Sequence, residues 1–114
     1  MDYSKMSDEE IGRRVAAACK LEGGANYNGE TLIVRNGVWA SFDPCNDPED
    51  AWPIIVENKI TVHAPMRYEE PQEWLAFDVH DSDVDFNDAN PLRAAMIVYL
   101  KMQESANVQT DSTR

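Results

Sequence analysis

The chain has 114 residues, 21 Asp or Glu against 10 Lys or Arg, and a formal net charge of −11. A pI near 4.4 argues against a direct nucleic-acid binder and against a polybasic membrane-surface protein, because both need cations to meet phosphate. At 43% hydrophobic the composition supports one packed domain of ordinary size.

No apolar run approaches the roughly 18 residues of a membrane span. The longest apolar stretch lies within Ala94–Leu100, and the start, Met1-Asp2-Tyr3-Ser4-Lys5, is polar without a signal-peptide core. A cytoplasmic protein with Cys19 and Cys45 as reduced thiols is the expectation. No Cys/His spacing resembles a zinc site.

Ser7-Asp8-Glu9-Glu10 opens the first predicted helix. Ser7 and Glu10 make a capping box, and the three acids suit the positive end of the helix dipole. Ile11, Val15, Ala18 and Cys19 form its apolar stripe, and Gly23-Gly24 reads as its stop. Thr31–Arg35 and Val38–Phe42 are β-rich runs joined by Asn36-Gly37, a strong hairpin signal. Asp43–Pro48 is a loop by its turn residues.

Asn46 or Asp47 then caps a second helix with Pro48 in its first turn; the helix ends at Asn58-Lys59 with a kink expected at Pro53. Ile60–Ala64 alternates as a strand, Pro65–Gln72 turns, and Glu73–Val79 reads as another strand. His80–Ala89 reads as an acidic loop. Asn90 caps a third helix with Pro91 at its first position, and Leu92, Ala95, Met96, Tyr99 and Leu100 share its apolar face. Residues 1–104 therefore form one α+β domain: a mostly antiparallel sheet of about four strands packed with three helices. The polar segment 105–114 is expected to be a disordered tail.

No catalytic constellation emerges. Asp81, Asp83 and Asp85 match the first three ligand positions of a calcium loop, but Phe86 stands where glycine is required and Leu92 where the bidentate Glu belongs, so no metal or other cofactor is assigned. Glu73, Asp78 and Asp81 lack a spacing that fixes a carboxylate pair. His63 or His80 with Cys45 lacks the signature of a thiol enzyme. Trp39, Trp52 and Trp74 are expected mainly as core aromatics, with a ligand cleft near Trp52, Trp74 and Arg93 as the other use. Arg93 follows the third helix's start, where it would bind an anion or pair with the nearby acids.

Three segments together resemble a known family: Met1-Asp-Tyr-Ser-Lys-Met-Ser-Asp-Glu-Glu-Ile11, Phe42-Asp-Pro-Cys-Asn-Asp-Pro-Glu-Asp-Ala-Trp-Pro-Ile-Ile-Val-Glu-Asn-Lys-Ile60 and Asn90-Pro-Leu-Arg-Ala-Ala-Met-Ile-Val-Tyr-Leu100. The chain is similar to the NinX family of the nin region of lambdoid phages and related prophages. The Ala51-Trp52, Trp74–Ala76 and Asn90–Leu100 pattern also resembles phage α-β-α sandwich domains. The resemblance implies a phage or prophage protein made in the bacterial host, with no established enzymatic activity and no catalytic residues to carry over.

The expected function is therefore a non-enzymatic accessory protein, its acidic surface directed to a basic host or phage protein. The contact residues would come from Trp52, Trp74, Arg93, Asp81, Asp83 and Asp85. The alternatives are a nucleotide-binding or sequestering protein and a divalent-metal hydrolase built on the acidic loop. A homodimer through the third helix and the hairpin edge is a further expectation.

Overall fold

The computed structural model describes residues 2–112, with side chains from Asp2 to Ala106. After a 3-10 turn at Tyr3–Lys5, the order is α1 (Asp8–Ala18), β1 (Gly23–Tyr27), β2 (Glu30–Arg35), β3 (Val38–Ser41), α2 (Pro48–Asn58), β4 (Ile60–His63), β5 (Trp74–Asp78), β6 (Asp81–Asp88) and α3 (Pro91–Ser112). The strands make two antiparallel three-stranded sheets, β1-β2-β3 and β4-β5-β6. This is an α+β fold, with six strands among the described residues where about four were expected.

Local chemistry accounts for the helix starts. Ser7 Oγ accepts from the Glu10 amide at 3.1 Å, and Asp47 Oδ1 accepts from Glu49 at 3.0 Å ahead of Pro48. Asn90 Oδ1 accepts from Leu92 and Arg93 at 2.9 and 3.3 Å. The Asn36-Gly37 turn also forms, both residues at positive φ between Arg35 and Val38.

Two expectations need correction. Gly23-Gly24 does not stop the first helix: Cys19 caps it, Lys20 takes the left-handed position at φ 57°, and the two glycines open β1. His80–Ala89 is not a loop; residues 81–88 pair with β5 from Trp74↔Asp88 to Asp78↔Asp81. Val84 is buried and Phe86 half-buried against the core, so alternate residues anchor a strand whose acids face outward. The helix α3 is described to Ser112 and so runs into the segment 105–114 that was expected as a tail. No glycine or proline interrupts that stretch, Tyr3 Oη donates to Glu104 Oε1, and Lys101 Nζ donates to the Asp85 carbonyl at 2.9 Å. The final two positions of the predicted tail lie outside the described residues.

The core is organised around α3. Ala94, Ala95, Met96, Ile97, Val98, Tyr99 and Leu100 are all buried, so α3 is covered on every side along this stretch. It packs on α1, α2 and all three strands of the second sheet, while α1 lies on β1 and β2. The hairpin's outer edge is open at β3, the terminal strand of its sheet.

Candidate interaction surface

Arg93 is held inside the structure. Its side chain is 12% exposed; Nη1 donates to Asp8 Oδ1 at 2.7 Å and Nε lies 3.3 Å from Asp88. Its Nη2 donates to the carbonyls of Met6, Tyr3 and Ser4 at 2.7, 3.3 and 3.4 Å. The guanidinium fork thus ties the N-terminal segment and α1 to the start of α3.

The other residues singled out in the sequence lie on α2, β3, β5 and β6. Trp52 is 62% exposed on α2, and Trp39 is 57% exposed on β3, so neither supplies the core packing expected of them. Trp74, at the start of β5, is half-buried opposite Asp88. Four cavities among the described residues are lined by other side chains than those of Trp52, Trp74 and Arg93. Asp81, Asp83 and Asp85 lie along β6, and Asp81 also accepts from the Asp83 amide at 3.0 Å. Among the described residues no group of three or more His, Cys, Asp or Glu is placed to hold a metal ion.

Both cysteines are free thiols. Cys45 is wholly buried, and burial followed by the nearby Asp8 carboxylate pushes its thiol up to about 12. A thiol held protonated in that way is a packing group rather than a nucleophile. Cys19 Sγ lies 3.4 Å from Tyr99 Oη, and burial raises both groups above their ordinary values.

A cleft of about 400 Å³ runs between α2 and the first sheet, beside Cys19, Ile33, Arg35, Phe42 and Ile54. Its size suits a small ligand. Its charge does not suit a nucleotide phosphate, since Glu49, Asp50 and Glu57 stand in the wall. The one arginine there, Arg35, is bound to Asp50 at 2.5 Å, and Asp50 also accepts from the Asp43 amide at 2.9 Å.

The outer face of β1-β2-β3 is different in kind. Ala25, Tyr27, Leu32 and Trp39 border a shallow apolar groove of about 380 Å³. Register places Leu32 opposite Ala25, Tyr27 opposite Glu30, and Trp39 opposite Val34. Tyr27 is 65% exposed. Trp39 lies over Gly23, where a Cβ would come within 2.9 Å of the indole. The sequence signal for this face was the alternation of β2: Thr31 and Ile33 turn inward, which leaves Leu32 and Val34 outward.

At the glycine-turn end of the same sheet is a smaller pocket of about 220 Å³, lined by Asp8, Glu9, Glu30, Thr31, Ser41 and Asp43 among others. Acidic side chains from α1, β2 and the loop after β3 meet there. Asp8, Glu9, Glu30 and Asp43 have partners already, in Arg93, Asn26, Ser41 Oγ and Asn46 Nδ2.

An acidic α+β protein with one aromatic sheet face left open is the class these features define. The chain matches the family described as Bacteriophage P22, NinX over residues 2–103 and belongs to it. A comparison with curated proteins gave no match. Among the described residues no helix is long and apolar enough to cross a membrane.

Proposed function

We propose that this phage accessory protein acts without catalysis, as an interaction module that docks a basic segment of a host or phage protein in the host cytoplasm. The observation that carries this reading is the open face of the first sheet, where Tyr27 and Trp39 are exposed beside Leu32. Aromatic residues are enriched at the anchoring centres of protein interfaces, because they bury a large area with few rotatable bonds. The net charge of −11 sets the sign of the partner. Nucleic acid carries the wrong sign for this surface. A basic side chain also stacks well on an indole or phenol ring.

The test is affinity capture from infected host lysate with the full chain and with a Tyr27→Ala/Trp39→Ala double variant. A basic partner recovered at low salt, weakened at moderate salt and lost with the double variant supports the reading. Recovery of no partner above background at either salt sinks it, and equal recovery by the double variant moves the interface off this face.

A further inference from the structure

We infer that α2 is a self-association surface, on which a second copy of this chain packs antiparallel. Trp52 and Val56 are 62% and 54% exposed on a helix that buries Ala51, Ile54 and Ile55 on its other side. Single exposed apolar residues are ordinary on a protein surface. These two are four positions apart, so they stand on consecutive turns of one helix face. The same face carries Glu49 three positions before Trp52, and Lys59, the helix's C-cap, three positions after Val56; both are exposed. Spacings of three, four and three are those of the a and d positions in a seam between two packed helices. Neither Glu49 nor Lys59 enters an ion pair among the described residues.

The order of residues along this seam selects the occupant. A two-fold axis crossing α2 at the level of Ile54 brings together positions equally distant from Ile54 on the two copies. Trp52 then meets Val56 of the second copy, and Glu49 meets Lys59 of the second copy. Symmetry repeats each layer, so the dimer has an apolar centre and an ion pair at either end. A basic segment of another protein fits this face less well, because Lys59 opposes it; an acidic one is opposed by Glu49. Antiparallel packing of two copies sets each charge against its opposite. The helix is only 11 residues long. The interface therefore belongs to the small, transient class below about 1,200 Å², and the dimer forms with rising concentration. None of these four residues borders the groove of Tyr27 and Trp39, so the surface is separate from the one assigned to the basic partner. A dimer would present that groove twice and gain avidity for a partner with repeated basic segments.

The experiment is sedimentation equilibrium of the full chain from low micromolar to millimolar concentration. The parent should show a reversible monomer–dimer equilibrium, and Trp52→Ala should weaken it by about tenfold or more. Glu49→Lys and Lys59→Glu each turn both end pairs from attractive to repulsive and should each weaken the dimer by about tenfold. Mixed in equal amounts, the two charge variants should recover association close to the parent's, because every end pair is again of opposite sign. Recovery on mixing also shows that neither variant failed to fold. Glu49→Lys makes each chain less negative, so relief of general repulsion alone would strengthen its dimer; the seam requires the opposite. Tyr27→Ala/Trp39→Ala should leave association unchanged. A parent that stays monomeric at millimolar concentration overturns the inference, and so does a dimer untouched by Trp52→Ala. Charge variants that do not recover on mixing overturn the antiparallel arrangement. A dimer lost in the Tyr27→Ala/Trp39→Ala variant places the contact on the first sheet and overturns the α2 surface. Capture from lysate tests the basic partner independently of all these outcomes.

Discussion

Replacing Arg93 by Met removes the guanidinium and keeps an unbranched stem of similar bulk. Five acceptors then lose their donor: the carboxylates of Asp8 and Asp88 and the carbonyls of Tyr3, Ser4 and Met6. Removing one member of a buried ion pair costs about 3–5 kcal/mol. Water can reach part of this cluster, since the Asp8 and Asp88 side chains are 41% and 24% exposed. Solvent screening brings the expected loss down to about 2.5 kcal/mol. With a urea m-value of about 1.3 kcal/mol/M for a chain of this size, the midpoint should fall by about 2 M. Arg93→Lys keeps the charge without the fork and should lose more than half as much. Urea unfolding followed by tryptophan fluorescence measures both, and amide exchange at residues 3–6 should accelerate before the rest of the chain. A midpoint for Arg93→Met within about 0.3 M of the parent would refute the clamp and return Arg93 to the list of residues free to bind an anion.

Asn90→Ala removes the cap of α3 and the bond from Nδ2 to the Cys45 carbonyl at 2.7 Å. A loss of about 2 kcal/mol in urea unfolding is expected from the two together. Gly23→Ala places a Cβ at φ 97°, within 2.9 Å of the Trp39 ring and 3.2 Å of the Ile33 Cα, so about 2 kcal/mol should be lost and the Trp39 emission should shift. Burial raises the Cys45 thiol from 9.0 to about 12, so above pH 9 the native state holds a proton that the unfolded chain releases. Its contribution is complete below pH 9 and declines as pH rises toward 12. From pH 8 to pH 10 the parent should lose about 1.4 kcal/mol more than Cys45→Ala, measured as the difference between their urea midpoints.

The features legible in the sequence are those decided within a few residues. Ser7, Asp47 and Asn90 each satisfy amides two or three positions ahead, and Asn36-Gly37 needs only its own backbone freedom, so their roles follow from residue type. What stayed hidden depends on partners far along the chain. β1 exists because Gly23–Tyr27 pairs with β2, and Gly23 sits where only a missing Cβ admits the Trp39 ring. β6 is rich in Asp, a poor strand former, yet Val84 and Phe86 alternate with outward acids and secure it against the core. That period-two alternation was present in the sequence but was outweighed by acidic composition. The Arg93 clamp spans 85 positions to Asp8, and no local pattern announces it. The groove bordered by Tyr27, Leu32 and Trp39 was not legible, because β1 and its register with β2 had no local signal in the sequence.

The distribution of charge distinguishes a directed surface from a solubilising coat. A coat works with both signs interspersed. Here five cations are drawn inward or into neighbouring acids, among them Arg93 to Asp8 and Asp88, Arg35 to the buried Asp50, and Arg14 to Glu10. Each such pairing leaves other carboxylates without an opposing charge. Asp81, Asp83 and Asp85 along β6, and Glu30 and Asp43 at the end of the first sheet, enter none of the ion pairs among the described residues. The two groups differ in what surrounds them. The β6 acids flank an outward strand and act through a field that salt screens within about 8–10 Å. Glu30 and Asp43 border a concave wall, where Glu30 accepts from Ser41 and Asp43 from Asn46. On the proposed reading of a basic partner, the first arrangement serves the rate of encounter, while the second is already engaged within the fold.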